Sequence, residues 1–304
     1  MILLVILYAL LAATFLLAKI AVAYADPFFL IGFRMITAGI ILLSYYFFIY
    51  KGEKKLLTRS LIKPFIAIIF FHIYFSFVPE FWALHYVSSI KVNIMYSITP
   101  FITTILAYYL LKERLSLLKI AGILSGFFGL LPVLIGKNDE MVVTEIFAIS
   151  LPEIMLLFSI VSGAYAWFLI KRLMDKGYSL ILINGMSMLW GGFLSMLTWG
   201  FYAQPNAAVV YNWHLFLLTV AGLIVMSNIV VYGLYAWLTQ KYSLTLIAFA
   251  GFLCPLFGAL YGTVLLGEHL YWYHGIALIG ITFGLFCFYR DTKNPVKIYE
   301  LENI

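Results

Sequence analysis

Apolar residues run along this chain in blocks of about twenty, and short clusters of charged, Pro, Gly or Asn residues separate the blocks. The blocks are too long and too uniformly apolar for half-buried strands, whereas about 20 such residues carry a helix across a hydrocarbon core. The pattern predicts ten helices, at roughly 2–22, 27–50, 64–87, 90–111, 115–135, 152–174, 179–201, 214–239, 243–266 and 270–289. The breaks read YADP (24–27), KGEKKLLTRSLIK (51–63), KER (112–114), GKNDE (136–140) and AQPN (203–206), so the connections are short. The expected fold is an all-α membrane protein with ten transmembrane helices. The apolar start ends in Ala21-Val22-Ala23, like a signal-peptidase site. No basic residue precedes it and Lys19 interrupts it, so an uncleaved first helix is expected.

Composition agrees: 64% of the 304 residues are hydrophobic and 11% charged, against about 25% charged in soluble domains. Cys254 and Cys287 both lie in apolar runs, which points to buried thiols and not to a disulfide or metal site. The net charge of +6 would suit a nucleic-acid partner only if it were gathered on one surface. Instead, 15 of the 19 Lys and Arg residues fall in loops and helix ends on one side of the bundle, with only Lys91 and Lys137 near loops on the other. That bias predicts both termini in the cytoplasm and a lipid bilayer as the partner of those loops. In a bacterial cell the location is the cytoplasmic (inner) membrane.

Shifted by 155 positions, the chain matches itself without a gap. Trp82 falls on Trp237, Ser88 on Ser243, Pro100 on Pro255, Glu113 on Glu268, and Phe128-Gly129-Leu130 on Phe283-Gly284-Leu285. A duplication with five helices in each half follows. Five is odd, so the second half inserts upside down. The expectation is two inverted five-helix repeats, at 1–136 and 152–290, joined by an outer linker (137–151) and followed by a cytoplasmic tail (291–304). Inverted repeats build many secondary transporters, with the solute site between the halves. A scaffold does not need them, and no ring of repeated charge marks a channel.

ITPFITTILAYYLLKERLSLLKIAGILSGFFGLLPVL (98–134) resembles the end of an EamA-type repeat of the drug/metabolite transporter superfamily, and CPLFGALYGTVLLGEHLYWYHGIALIGITFGLFCF (254–288) repeats it. DPFFLIGFRMITAGIIL (26–42) resembles the family's second helix, with Arg34 as its arginine, for which the second half has no match. The resemblance implies a ten-helix transporter of small organic metabolites with a central cavity. It does not choose the substrate.

Charges inside a membrane are costly and mark function or pairing. Glu80, in SFVPEFWAL, and Arg34 lie at similar predicted depths on neighbouring helices, and are expected to face the interior close together, directly or through solute or water. Lys19 and Lys91 are candidates to join them. His72, Ser76 and Glu80 share one helix face. Asn93 and Tyr96 on the fourth helix, Asn228 and Tyr232 on the eighth, and Tyr8 and Trp167 as aromatic walls complete the expected substrate site. Pro100 and Pro255, each removing a backbone donor, are the expected hinges. The glycines Gly122, Gly126, Gly129, Gly280 and Gly284 predict close packing of the fifth and tenth helices, and a homodimer along that face stays open.

No H-E-x-x-H, G-x-S-x-G, Walker loop or Cys/His ligand set occurs, so neither an enzyme nor a cofactor is expected. Opposite charges among aromatics suit a zwitterion. The expected cargo is an amino acid or an amino-acid-containing metabolite such as S-adenosylmethionine, moved by alternating access. The alternative is a multispecific exporter of hydrophobic compounds.

Overall fold

The computed structural model describes residues 2–53, 55, 61–84, 86, 95–113, 116–135, 150–202, 209–266 and 272–293. The described residues form ten helical segments and no strand beyond an isolated bridge between Ala25 and Val210. We label them α1 (Ile2–Val22), α2 (Pro27–Ile49), α3 (Ile62–Ala83), α4 (Thr99–Leu111), α5 (Leu117–Ile135), α6 (Leu151–Asp175), α7 (Leu180–Tyr202), α8 (Trp213–Thr239), α9 (Leu244–Ala250 and Leu253–Leu266) and α10 (Trp272–Lys293). By length and composition seven are apolar enough to cross a membrane: α1, α2, α3, α6, α7, α8 and Leu244–Tyr261 of α9. Shorter apolar stretches lie at Thr99–Leu111, Leu117–Pro132 and His274–Phe288. This is a multi-pass membrane protein.

Local chemistry fixes the starts. Asp26 is the N-cap of α2, its Oδ1 accepting from the Phe28 and Phe29 N–H groups at 2.9 and 3.2 Å, with Pro27 at the first helical position. The Glu153 carboxylate reaches back to the Ser150 N–H at 2.9 Å at the head of α6, and Ser243 and Asn212 cap α9 and α8.

Three helices are not regular throughout. Wider π-helical turns occupy Tyr45–Ile49 in α2, Ile69–Tyr74 in α3 and Ile224–Val231 in α8. The last two start 155 residues apart. Such turns shift side-chain register and leave carbonyls without their usual donor. In α3 the Ser76 hydroxyl donates to the Phe71 carbonyl at 2.6 Å, and the Ser159 hydroxyl of α6 donates to the Ser76 carbonyl. A break interrupts α9 at Gly251-Phe252, just before Pro255, and a turn at Ser97-Ile98 precedes Pro100 in the same way. Because the Gly251 N–H turns to the Ala248 carbonyl (2.9 Å), the Ile247 carbonyl is taken by the Tyr8 hydroxyl at 2.5 Å. A break of this kind survives at membrane depth only when side chains re-satisfy the freed groups.

Two helix pairs pack at backbone distance. A Cβ on Gly32 would stand 3.1 Å from the Met196 nitrogen, one on Gly39 2.6 Å from that of Leu189, and one on Gly185 3.3 Å from that of Leu43. As the numbering climbs along α2 it falls along α7, so the two run antiparallel. In α5 and α10, a Cβ on Gly122 would lie 3.1 Å from the Gly284 oxygen and one on Gly129 3.1 Å from the Gly280 Cα, again antiparallel. The glycine ridges of the fifth and tenth helices therefore face each other. Ser125 Oγ donates to the Gly280 oxygen at 3.0 Å in the middle of that contact.

Candidate substrate cavity

The helices surround a cavity of about 230 Å³, with walls from α1, α2, α3, α4, α6, α8 and α9. Its charged lining residues among those described are Arg34 and Glu80. Both are buried, at 2% and 6% exposure, which in a bilayer requires compensation.

Arg34 is compensated by α8. Its Nε donates to Asn228 Oδ1 and its Nη2 to Ser227 Oγ, each at 2.8 Å, and Phe77 lies under the guanidinium at 5.6 Å. Two donors are thus held by the π-helical turn of α8, and the rest of the fork remains on the cavity side. Glu80 shares a hydrogen bond with the Tyr96 hydroxyl, which also meets Ser159, and senses Arg34 electrostatically. The expected pair therefore faces one cavity without a direct bond between its members. Asn228 differs from expectation. It is not on the cavity wall, because its oxygen holds Arg34 while its Nδ2 faces the sulfurs of Met35 (3.3 Å) and Met188 (3.6 Å).

Further along α3, His72 lies between Trp167 and Tyr232, ring centroids 5.5 and 5.2 Å away, and Trp167 stacks on Tyr235 at 4.0 Å. Tyr8 presents its ring to the cavity and spends its hydroxyl on α9. Of the expected residues, Tyr8, Arg34, His72, Ser76, Glu80, Tyr96, Trp167, Tyr232 and Pro255 line this one space. Pro100 is buried but not on the wall. Asn93 and Lys91 lie outside the described residues. Lys19 is exposed near the end of α1 and is not among the residues that line the cavity.

The sequence reading passed over Thr99, Ser159, Gly163 and the stacked Tyr235 as wall residues. The small residues Ser159, Ser162, Gly163 and Ala164 on α6 are the available signal, since small residues at membrane depth mark close approach.

The EamA-like transporter family matches residues 1–135 and again 150–290. The chain belongs to that family. Two proteins named S-adenosylmethionine/S-adenosylhomocysteine transporter are among the relatives of this EamA-family chain. The one from Chlamydia muridarum is 30% identical over 259 residues, 84% of this chain and 81% of its own. The one from Chlamydia trachomatis serovar L2 is 31% identical, over 84% and 79%. A crystal structure 16% identical in sequence superposes with a TM-score of 0.71 over 94% of this chain and 93% of its own, a likeness of fold.

Proposed function

We propose that this EamA-family protein is a secondary transporter that carries an S-adenosylmethionine-class solute between two inverted five-helix repeats, 1–136 and 152–290. The observation that carries the proposal is the cavity holding Arg34, Glu80 and a tier of aromatic rings, in a chain 30–31% identical to transporters of that name. An amino-acid end needs an anion for its ammonium and a guanidinium for its carboxylate. A sulfonium and a purine need aromatic faces. Glu80 supplies the first, Arg34 the second, and Trp167, Tyr232 and Tyr235 the third. Moving such a solute is transport, with no bond made or broken.

The packing supports the inverted arrangement. With an offset of 153, the Gly39–Leu189 approach is the counterpart of Gly192–Ile36, and Gly32–Met196 of Gly185–Leu43. With an offset of 155, Ser125–Gly280 is its own counterpart. Contacts that exchange in this way between antiparallel helices are what a two-fold axis in the membrane plane produces. On this reading all ten helices cross the inner membrane, both termini are cytoplasmic, and the breaks before Pro100 and Pro255 are the hinges.

The test is uptake of radiolabelled S-adenosylmethionine into proteoliposomes. We expect saturable uptake, competition by S-adenosylhomocysteine, and loss of both in Glu80→Gln while the purified protein keeps its helical spectrum. Absence of uptake in either membrane orientation, or full flux in Glu80→Gln, refutes the assignment.

A further inference from the structure

The two π-helical turns place His72 and Ser227 at equivalent positions, 155 residues apart, yet the two environments differ. In the second half Ser227 and Asn228 are bonded by Arg34. In the first half, His72 Nε2 and Asn184 Oδ1 are both buried, neither makes a hydrogen bond of ordinary geometry, and Asn184 is the side chain that acts on the His72 ring. Asn184 sits behind His72, on α7, away from the cavity wall.

An amide oxygen accepts and never donates, so the nitrogen beside it is the one that favours carrying the proton. The tautomer of a neutral imidazole is set by the partner of one nitrogen, which leaves the other as an acceptor. His72 lines the cavity, and with Nε2 on the Asn184 side Nδ1 is the nitrogen left for a solute there. Trp167 and Tyr232 flank the ring and Tyr235 stacks on Trp167, so aromatic faces border this end of the cavity. Glu80 lies eight residues along α3, about 12 Å away at ~1.5 Å per residue. A solute that reaches both must carry a heterocycle well separated from its amino-acid end.

We propose that this end of the cavity binds an aminated heterocycle, with His72 Nδ1 accepting a hydrogen bond from its exocyclic amine and Asn184 acting as the positioning residue that fixes the His72 tautomer. This rests on the adenosyl reading given above and adds a rule to it: a 6-amino purine is accepted and a 6-oxo purine, which turns an acceptor toward an acceptor, is refused.

Competition against S-adenosylmethionine uptake tests the rule on the unaltered protein, with S-adenosylhomocysteine and S-inosylhomocysteine as competitors. The inosyl compound is expected to compete about tenfold or more weakly, because a buried polar group is left unpaired. In Asn184→Leu the preference should shrink toward equality, whereas methionine, which lacks the ring, should compete as it does with the unaltered protein. His72→Gln, whose amide offers both a donor and an acceptor, should also accept the inosyl compound. Equal competition in the unaltered protein overturns the rule, and so does a preference that survives in both variants. If the unaltered protein takes up no S-adenosylmethionine at all, the transport assignment itself has failed, a result distinct from uptake without discrimination.

Discussion

Arg34 shows how one buried charge is made tolerable and useful at once. Its Nε and Nη2 are fixed by Asn228 and Ser227 at 2.8 Å, so the side chain is oriented before any solute arrives. Lysine would keep the charge and lose the fork. Arg34→Lys is expected to raise the KM for uptake by about ten- to a hundredfold, the equivalent of one charge-assisted hydrogen bond of ~1.5–3 kcal/mol, as read from proteoliposome kinetics. Asn228→Leu removes the acceptor for Nε together with the Nδ2 contacts to the Met35 and Met188 sulfurs. It should lower the melting temperature in detergent and raise the KM in the same direction, which would show that Asn228 serves the site through Arg34.

At the scale of the helices, glycine decides which pairs reach backbone contact. A Cβ on Gly280 of α10 would sit 2.8 Å from the Ser125 carbonyl oxygen and 3.1 Å from the Gly129 Cα, all backbone atoms of α5. On the same helix, a Cβ on Gly275 meets nothing within 4 Å. Gly280→Val is therefore expected to destabilise by about 1–3 kcal/mol through overpacking, and Gly275→Val to leave the α5–α10 contact undisturbed. Thermal unfolding of the two variants side by side checks this. The irregular helices follow a related logic. The π-helical turn of α3 and the break in α9 release carbonyls, and hydroxyls from Ser76 and Tyr8 take them up. The helix can then bend around the cavity with those carbonyls satisfied.

Over the whole molecule, side-chain links at the end rich in basic loops join the first part of the chain to the second. Glu113, after α4, accepts from Lys119 Nζ at 2.6 Å and from the Thr245 hydroxyl of α9 at 3.2 Å. Lys119 also pairs with Asp291 of α10 at 3.5 Å, and Arg172 of α6 donates to the Leu110 carbonyl at 3.1 Å. The stacked Trp167 and Tyr235 belong to the cavity wall. Each pair is partly solvated and singly weak, about 1 kcal/mol or less, which suits a closure that must open in every cycle. Glu113→Gln should loosen it. Cys254 lines the cavity and Cys287 does not, so a Cys287→Ser background isolates the cavity thiol. Alkylation of Cys254 from the basic side is expected to quicken several-fold in Glu113→Gln, and added S-adenosylmethionine to slow it in either background.

The sequence by itself determined the solvent and the units of the architecture. Blocks of about twenty apolar residues admit only helices in lipid, because helices satisfy their own backbone groups, and the helix ends read from YADP and AQPN fall within a few residues of those observed. The 155-residue repeat and the buried charges Arg34 and Glu80 were legible too, since a charge in an apolar run stands out against its neighbours. Only the tertiary structure decided who holds whom. Spacing along one helix says nothing about which other helix supplies a partner, so Asn228 read as a wall residue holds Arg34, and Lys19 is exposed and outside the cavity lining. The π-helical turns lay beyond sequence reasoning for a related reason. They depend on register shifts of a single residue, which hydrophobic periodicity does not record but packing against α6 and α2 does.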